Sequence, residues 1–272
     1  MAGLYRQFHS VNFFYKYCDD MSTNHIELHS HDIWELIFLK KGDLSYMVEG
    51  KVYRVTKNCL ILTRPSRHHS ITINAPFEYE RYNILFAENL LSAEVLQQIP
   101  ANIDIISFEG NELVQGLFKK TVYYSENFEG EVLKDLLLHL TEEILCNVLI
   151  ASRDMDPSMY TVNPIINQAV KYINENITSP LTIDAICDEL YITKSHLHHL
   201  FVKHLMITPK KYITSKKLVM AQRELRSGGK PSDLYLAYGF SDYSTFYRDY
   251  KKHFGHSPSE EAGIQITPEI TS

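Results

Sequence analysis

The feature that most constrains this chain is a repeat. The segment LTIDAICDELYITKSHLHHLFVKHLMITP (181–209) returns about 49 residues later as KPSDLYLAYGFSDYSTFYRDYKKHFGHSP (230–258). Leu197 aligns with Phe246, Phe201 with Tyr250, Lys203 with Lys252 and Pro209 with Pro258. A duplicated short helix, tight turn and second helix is a supersecondary unit used twice, so this half must be all-helical. In the first copy Ile183, Ile186, Cys187 and Leu190 form one apolar face, and Thr193 is placed to cap the next helix. That helix buries Leu197, Leu200 and Phe201. In the second copy Gly239 permits the turn, Ser241 is read as the cap, and Asp242 faces the positive end of the dipole. Phe246, Tyr250 and Phe254 turn inward, Gly255 ends the helix and Pro258 prevents its resumption.

Both second helices keep polar groups for their outer face. Lys194, Ser195, His198, His199 and Lys203 remain outside in the first, and Tyr243, Ser244, Tyr247, Arg248 and Lys251 in the second. A narrow rigid face of donors, acceptors and cations can read base edges and hold phosphates in a major groove. For one amphipathic helix a solvated face is the simpler explanation, but duplication shifts the balance. Between the copies, PKKYITSKKLVMAQRELRSGG predicts a helix opened by Pro209 and ended by Gly228. About 18 residues span roughly 27 Å. With the half-widths of flanking helices this approaches ~34 Å, one turn of DNA. Lys210, Lys211, Lys216, Lys217, Arg223 and Arg226 on this stretch are expected to neutralise phosphates.

The first half has a different period. From Glu27 to about Ala87, WELIFLK, LSYMVEG, KVYRV, CLILTR, HSITIN and YERYNILFA read as strands broken by short turns. This suggests an antiparallel sandwich or barrel. Helical spacing follows in NELVQGLFKKTVYYSENF and in EVLKDLLLHLTEEILCNVLIASR, where Leu133, Leu137, Leu140, Ile144 and Val148 form a stripe. That stripe suits equally a helix docked on the barrel or a dimer seam.

Within HSHDIWELIFLKKG, His29, His31 and Glu35 share one face of an extended strand. With a fourth ligand, for which His68 and His69 are the candidates, they could hold a divalent metal; hydrogen-bonded histidines lining a pocket are the favoured reading. The spacing resembles the first motif of the cupin family of small barrels. The second motif, TRPSRHHSITIN, carries Arg67 where a glycine is expected. His29, His31, Glu35, Arg64, His69 and Arg81 are expected to line an effector pocket, with Trp34 and Tyr46 stacking on a sugar or other ring.

Net charge is −6, distributed unevenly: from Pro164 onward 13 Lys and Arg face 11 acidic residues, while the preceding part has 14 against 22. The four cysteines are scattered, with no CxxC, as expected of free thiols in a reducing compartment. No run approaches the ~18 apolar residues of a membrane span and the start has no secretory pattern, which predicts a cytoplasmic protein.

GFSDYSTFYRDYKKHFGHSP and LHHLFVKHLMITPKKYI resemble the C-terminal DNA-binding domain of the AraC family of bacterial transcription regulators, and the cupin-like first half agrees with the usual partner domain. The resemblance covers about residues 163–262. It implies an α+β chain: a cupin-like barrel for effector at 1–105, a helical dimerisation or packing segment at 106–153, a linker at 154–163, a double helix-turn-helix at 164–262 and a tail at 263–272. It further implies an effector-responsive activator, a homodimer, that contacts promoter DNA and RNA polymerase without a cofactor. Two alternatives stand beside it: a metal-dependent cupin enzyme with a helical accessory domain, and an adaptor that uses the helical half for protein contacts.

Overall fold

The computed structural model describes residues 5–10, 12–19, 25–74, 79–154, 163–179 and 181–263. Most of the expected linker and nearly all of the expected tail lie outside the described residues.

Among the described residues ten strands form two antiparallel sheets. They are β1 (Tyr5–Ser10), β2 (Phe13–Cys18), β3 (His25–His29), β4 (Trp34–Lys41), β5 (Asp43–Val48), β6 (Lys51–Thr56), β7 (Cys59–Thr63), β8 (His69–Ile73), β9 (Glu80–Phe86) and β10 (Ile105–Ser107). One sheet runs β1-β2-β9-β4-β7-β10, the other β3-β8-β5-β6. Strand β4 shows how the alternation partitions the core. Its odd residues Ile37 and Leu39 face the second sheet and pack with Tyr46, Val48, Ile61 and Ile71. Its even residues Trp34, Leu36 and Phe38 face the other way, toward helices. The expected run of strand from His29 to Glu35 is not continuous. The chain leaves β3 at His29 and enters β4 at Trp34, so His31 lies in the connection.

Helices α1 (Ala93–Gln98), α2 (Glu112–Asn127) and α3 (Gly130–Ala151) follow. The stripe Leu133, Leu137, Leu140, Ile144 and Val148 is buried together with Phe38, Tyr82 and Phe118. Phe118 stacks on Phe38 with centroids 4.2 Å apart. Each such side chain contributes about 1.5–3 kcal/mol on burial, so α3 is a docked helix and its stripe is spent on the sheet.

The helical half comprises α4 (Pro164–Asn176), α5 (Ile183–Leu190), α6 (Lys194–Leu205), α7 (Pro209–Arg226), α8 (Pro231–Ala237) and α9 (Tyr243–Phe254). It has two small cores. The first packs α4, α5 and α6 against Tyr212 and Ile213 at the start of α7. The second packs α8 and α9 against Leu218, Ala221 and Leu225 near its end. One helix thus belongs to both cores, which makes the connection between the units rigid. The barrel also reaches the first core: Met47 of β5 is part of it.

Candidate nucleic-acid interface and its junction with the barrel

The two reading helices are begun by local chemistry. Thr193 caps α6, its hydroxyl accepting from the His196 amide, after Tyr191 turns the chain at φ 53°. For α9 the cap is Asp242, whose carboxylate accepts from the Thr245 amide; Ser241, expected to cap, instead donates its hydroxyl to Asp242. Asp242 wins because a carboxylate both accepts the orphan amides and complements the dipole. Those bonds hold its carboxyl below the usual range. Gly239 (φ 66°) and Gly255 (φ 79°) take the left-handed turns at either side.

The proposed reading residues are all exposed: Lys194, Ser195, His198, His199 and Lys203 on α6, and Tyr243, Ser244, Tyr247, Arg248 and Lys251 on α9. Exposed Val202 adds an apolar group to the α6 face that the polar pattern alone did not single out. Lys194 is paired with Asp184 at 2.6 Å, so it is less free to meet a phosphate than expected.

Helix α7 departs most from expectation. Of the six basic residues assigned to phosphates, only Lys210, Lys211 and Arg223 are exposed, and Arg223 is paired with Glu88 of the barrel half. Lys216 and Lys217 are buried. The Lys216 ammonium lies 3.3 Å from Glu49 and donates to the Ser66 carbonyl at 2.9 Å. Arg226 binds Asp32 at 2.7 Å and Glu261 at 2.8 Å. For Lys216, Arg223 and Arg226 the physical reason is proximity to carboxylates, those of the barrel half first; Lys217 is buried instead beside the Gly239 turn, where burial lowers its ammonium.

Glu49 is the centre of this junction. Besides Lys216 it accepts from the His68 amide at 2.7 Å and from the Tyr212 hydroxyl. Burial alone would raise its carboxyl, but the Lys216 ammonium and the His68 side chain hold it well below the ordinary carboxylate range. His68 Nε2 lies 3.0 Å from Ser215 of α7. Glu49 and Gly50 form a two-residue hairpin turn between β5 and β6 with φ 48° and 80°. Glycine is required at the second position twice over. Its φ is positive, and a Cβ there would sit 2.7 Å from Ile166 Cγ2 in the first helical core.

Beside this junction the histidine cluster closes. Ligand atoms of His29, His31, Glu35 and His69 lie within 4.8 Å of one another. Glu35 is clasped by His69 Nε2 at 3.0 Å and Asn83 Nδ2 at 3.0 Å, with His31 Nε2 at 3.5 Å. Against burial, which raises it, the His31 and His69 contacts hold its carboxyl well below normal. A cavity of about 590 Å³ separates the barrel from α7 and α9. Its lining includes His29, His68, Lys210, Lys211, Lys252 and His253.

Comparison with known proteins bears on both halves. Residues 13–107 match the AraC-like ligand binding domain and residues 186–262 a helix-turn-helix domain. SoxS of Salmonella typhimurium is 30% identical over 97 residues, which is 35% of this chain and 91% of SoxS. The chain belongs to the AraC family of transcription regulators. The lactose operon transcription activator of Staphylococcus xylosus is 29% identical over 142 residues, and the match spans half of each chain. The Bacillus subtilis regulator YfiF is 22% identical over 91% of this chain and 82% of its own. ToxT from Vibrio cholerae O395 superposes with a TM-score of 0.41 at 14% identity, covering 97% of this chain and 99% of ToxT. As an AraC-family regulator the protein is not an enzyme, and nothing in these comparisons supports a cupin enzyme. DNA and a small-molecule effector are its partners in kind.

Within this regulator the expected effector residues divide. His29, His31, Glu35 and His69 meet at the barrel mouth, and the fully buried Tyr46 adjoins them, its ring 6.2 Å from that of His69 and its hydroxyl on Thr63. Trp34 does not join them: it is on the opposite face of β4, stacked on Phe86, with its indole N–H donated to Glu88. Arg64 is spent on the carbonyls of Pro100 and Ile103. Arg81 is buried inside the sandwich beside Tyr79. The residues that sequence reasoning missed are Glu49, Tyr212 and Ser215. Glu49 left one trace, an acidic residue at a hairpin position that favours Asn or Gly.

Proposed function

We propose that this AraC-family regulator is a cytoplasmic, effector-responsive activator whose two helix-turn-helix units enter successive major grooves of promoter DNA. The observation that carries this reading is a pair of capped helices with exposed polar faces, held by one shared helix 18 residues long. At ~1.5 Å per residue that helix spans roughly 27 Å, which suits groove-to-groove spacing. Ser195, His198, His199, Tyr243, Ser244, Tyr247 and Arg248 meet base edges. Lys203 and Lys251, with Lys194 once freed from Asp184, meet phosphates. The division of labour follows the barrel at 1–105, the helices at 106–153, the linker at 154–163 and the DNA-binding half at 164–262.

The effector occupies the barrel mouth and the adjoining cavity. Lys210, Lys211 and Lys252 outnumber Asp249 in its lining, which favours a ligand with negative charge over a neutral sugar, and packed Trp34 and Tyr46 offer a sugar no free ring. Effector binding reaches the DNA through the Glu49–Lys216 junction. A second copy of the chain pairs across the outer faces of α2 and α3, where Tyr123, Val132 and Ile150 are about 60% exposed, and the bound dimer recruits RNA polymerase. The test is selection of a duplex from a random pool followed by fluorescence anisotropy. Arg248→Ala should cost ~1–3 kcal/mol and relax preference at one base position; selection that enriches no sequence, or an Arg248→Ala variant that binds the selected duplex like the parent, sinks the reading.

A further inference from the structure

Two cations inside the barrel have no anion to face. Lys16 of β2 and Arg81 of β9 are each 7% exposed. Lys51, buried to nearly the same degree, meets Asp104 at 3.0 Å; among the described residues Lys16 and Arg81 meet no carboxylate at ion-pair distance. They share one face of the larger sheet. Across β2 and β9, Lys16 pairs with Asn83 and Cys18 with Arg81, and Ile37 and Leu39 of β4 continue that face toward the second sheet. Tyr79, Arg81 and Asn83 follow at every second residue, and each leaves a buried polar atom without a hydrogen-bond partner among the described residues: the Tyr79 hydroxyl, Arg81 Nε and Asn83 Oδ1. The groups that act on the Arg81 charge are Tyr79, Cys18 and, last, Glu35. An ordinary phenol or thiol is neutral near pH 7, and the Glu35 oxygens are taken by His69 and Asn83. Burial and the Arg81 charge together push the Lys16 ammonium down. A buried charge left uncompensated is strongly destabilising, and here two of one sign stand on adjacent strands.

We propose that Lys16 and Arg81 head a binding site inside the barrel for a small organic acid with one carboxylate and a hydroxyl group. A guanidinium presents a fork that matches a carboxylate with two parallel hydrogen bonds. The Lys16 ammonium and the Tyr79 hydroxyl add donors beside it. Asn83 gives its amide N–H to Glu35 at 3.0 Å, so its Oδ1 is left only to accept, which selects a ligand that also carries an O–H. The charge count selects a monoanion: two cations less the Glu35 carboxylate leave one positive charge, and a phosphate dianion would overshoot it. Ile37 and Leu39 face the same space and take the apolar part of the acid. Few convergent polar groups on an apolar wall are the usual make-up of a small-molecule site. Neither Lys16, Tyr79, Arg81 nor Asn83 lines the cavity beside α7. The site is therefore distinct from that cavity; it rests on the reading of the barrel as the effector domain and names the class of ligand held within it.

The test uses full-length protein without DNA, so its failure and that of the proposed regulatory function are distinguishable. Thermal unfolding is followed in lactate and in mandelate, with lactamide and mandelamide as neutral controls and inorganic phosphate as the plain anion. The acids should raise the unfolding midpoint by binding the folded state, and the amides and phosphate should not. Arg81→Met should abolish the response. Lys16→Met should shift the acid concentration needed for it by about 10-fold or more, the effect of one lost charge-assisted hydrogen bond. Arg81→Lys, which keeps the charge and loses the fork, should retain part of it. The variants also separate a ligand group from a structural one. Exchanging an uncompensated buried charge for an apolar side chain is neutral or stabilising, so Arg81→Met without ligand should be at least as stable as the parent. The proposal is overturned by a parent whose midpoint neither acid moves beyond its amide, by phosphate acting as strongly as the acids, by a folded Arg81→Met variant that responds like the parent, or by a ligand-free Arg81→Met variant that unfolds well before the parent.

Discussion

Replacing Glu49 with Gln should uncouple the barrel from α7. The amide keeps the shape and can still accept from the His68 backbone, but the charge that balances Lys216 is gone. Both residues are buried, Glu49 at 3% exposure and Lys216 at 5%. Removing one partner of such a pair strands the other charge and costs about 3–5 kcal/mol. Lys216→Met should cost a similar amount by stranding Glu49, whose other partners are the Tyr212 hydroxyl and the His68 amide. The double variant leaves no buried charge at this point, so its cost should be well below the sum, giving a coupling energy of about 3 kcal/mol. Trp34 provides the assay. It is the only tryptophan; its indole binds Glu88, and Glu88 pairs with Arg223 of α7. Urea unfolding followed by Trp34 emission therefore reports on the junction. Additive costs, with coupling under about 0.5 kcal/mol, would refute the claim that this pair ties the halves together.

Three further outcomes are expected. Gly50→Ala places a methyl group 2.7 Å from Ile166 at φ +80° and should destabilise the junction by at least ~2 kcal/mol, the left-handed strain and the overlap adding; denaturation of Gly50→Ala with and without Ile166→Ala separates the two terms. Burial pushes the His253 imidazole down to about 4, below its unfolded value, so the unfolded chain binds the extra proton. Its contribution is intact above pH ~6.5 and is lost as pH falls toward 4, amounting to roughly 2 kcal/mol at pH 5; His253→Gln should flatten the pH dependence of stability over that window. Lys203→Ala and Lys251→Ala should each lower the salt slope of duplex binding by about 0.9, uniformly across sequences, and an unchanged slope in anisotropy titrations would remove that residue from the phosphate contacts.

The helical half was legible because its signals are local. Thr193, Gly239, Gly255 and the inward set Leu197, Phe201, Phe246 and Tyr250 act within one or two turns, so spacing alone places them. The cap on α9 was misplaced by one residue because serine and aspartate compete for the role and only geometry decides. Strands β1 and β2 were not recognised, although the run of aromatics at Phe13–Tyr17 is of strand type; β2 is buried throughout, so it lacks the alternation that identifies a half-exposed strand. The four groups of the histidine cluster were named from the spacing of three of them. Strand alternation already puts Trp34, one residue from Glu35, on the opposite face, so grouping it with the pocket residues ran against that period, and it packs toward the helices. The junction was illegible for a further reason. Glu49 and Lys216 are 167 positions apart, and nothing local distinguishes a lysine bound for a phosphate from one bound for a buried carboxylate.

That junction constrains how the barrel can govern DNA binding. With the barrel docked, Ser195, His198, His199, Tyr247 and Arg248 remain exposed, so docking does not act by covering the reading faces. It grips α7 instead, near its middle at Ser215 and Lys216 and near its end at Arg223 and Arg226. The first half of α7 belongs to the core under α6 and the second half to the core under α9, so α7 is the element that sets the distance and twist between the two reading helices. A duplex fixes that distance and twist on its own terms, and the barrel fixes them through Glu49, Asp32 and Glu88. Whatever fills the barrel mouth beside His68 then alters DNA affinity only to the extent that it favours one setting of α7 over another. By reciprocity the duplex must alter affinity at the barrel mouth by the same factor. A regulator built this way needs no large movement. On the proposed function, a change of a few degrees in α7, carried along roughly 27 Å of helix, moves the second recognition helix against its groove by on the order of 1–2 Å.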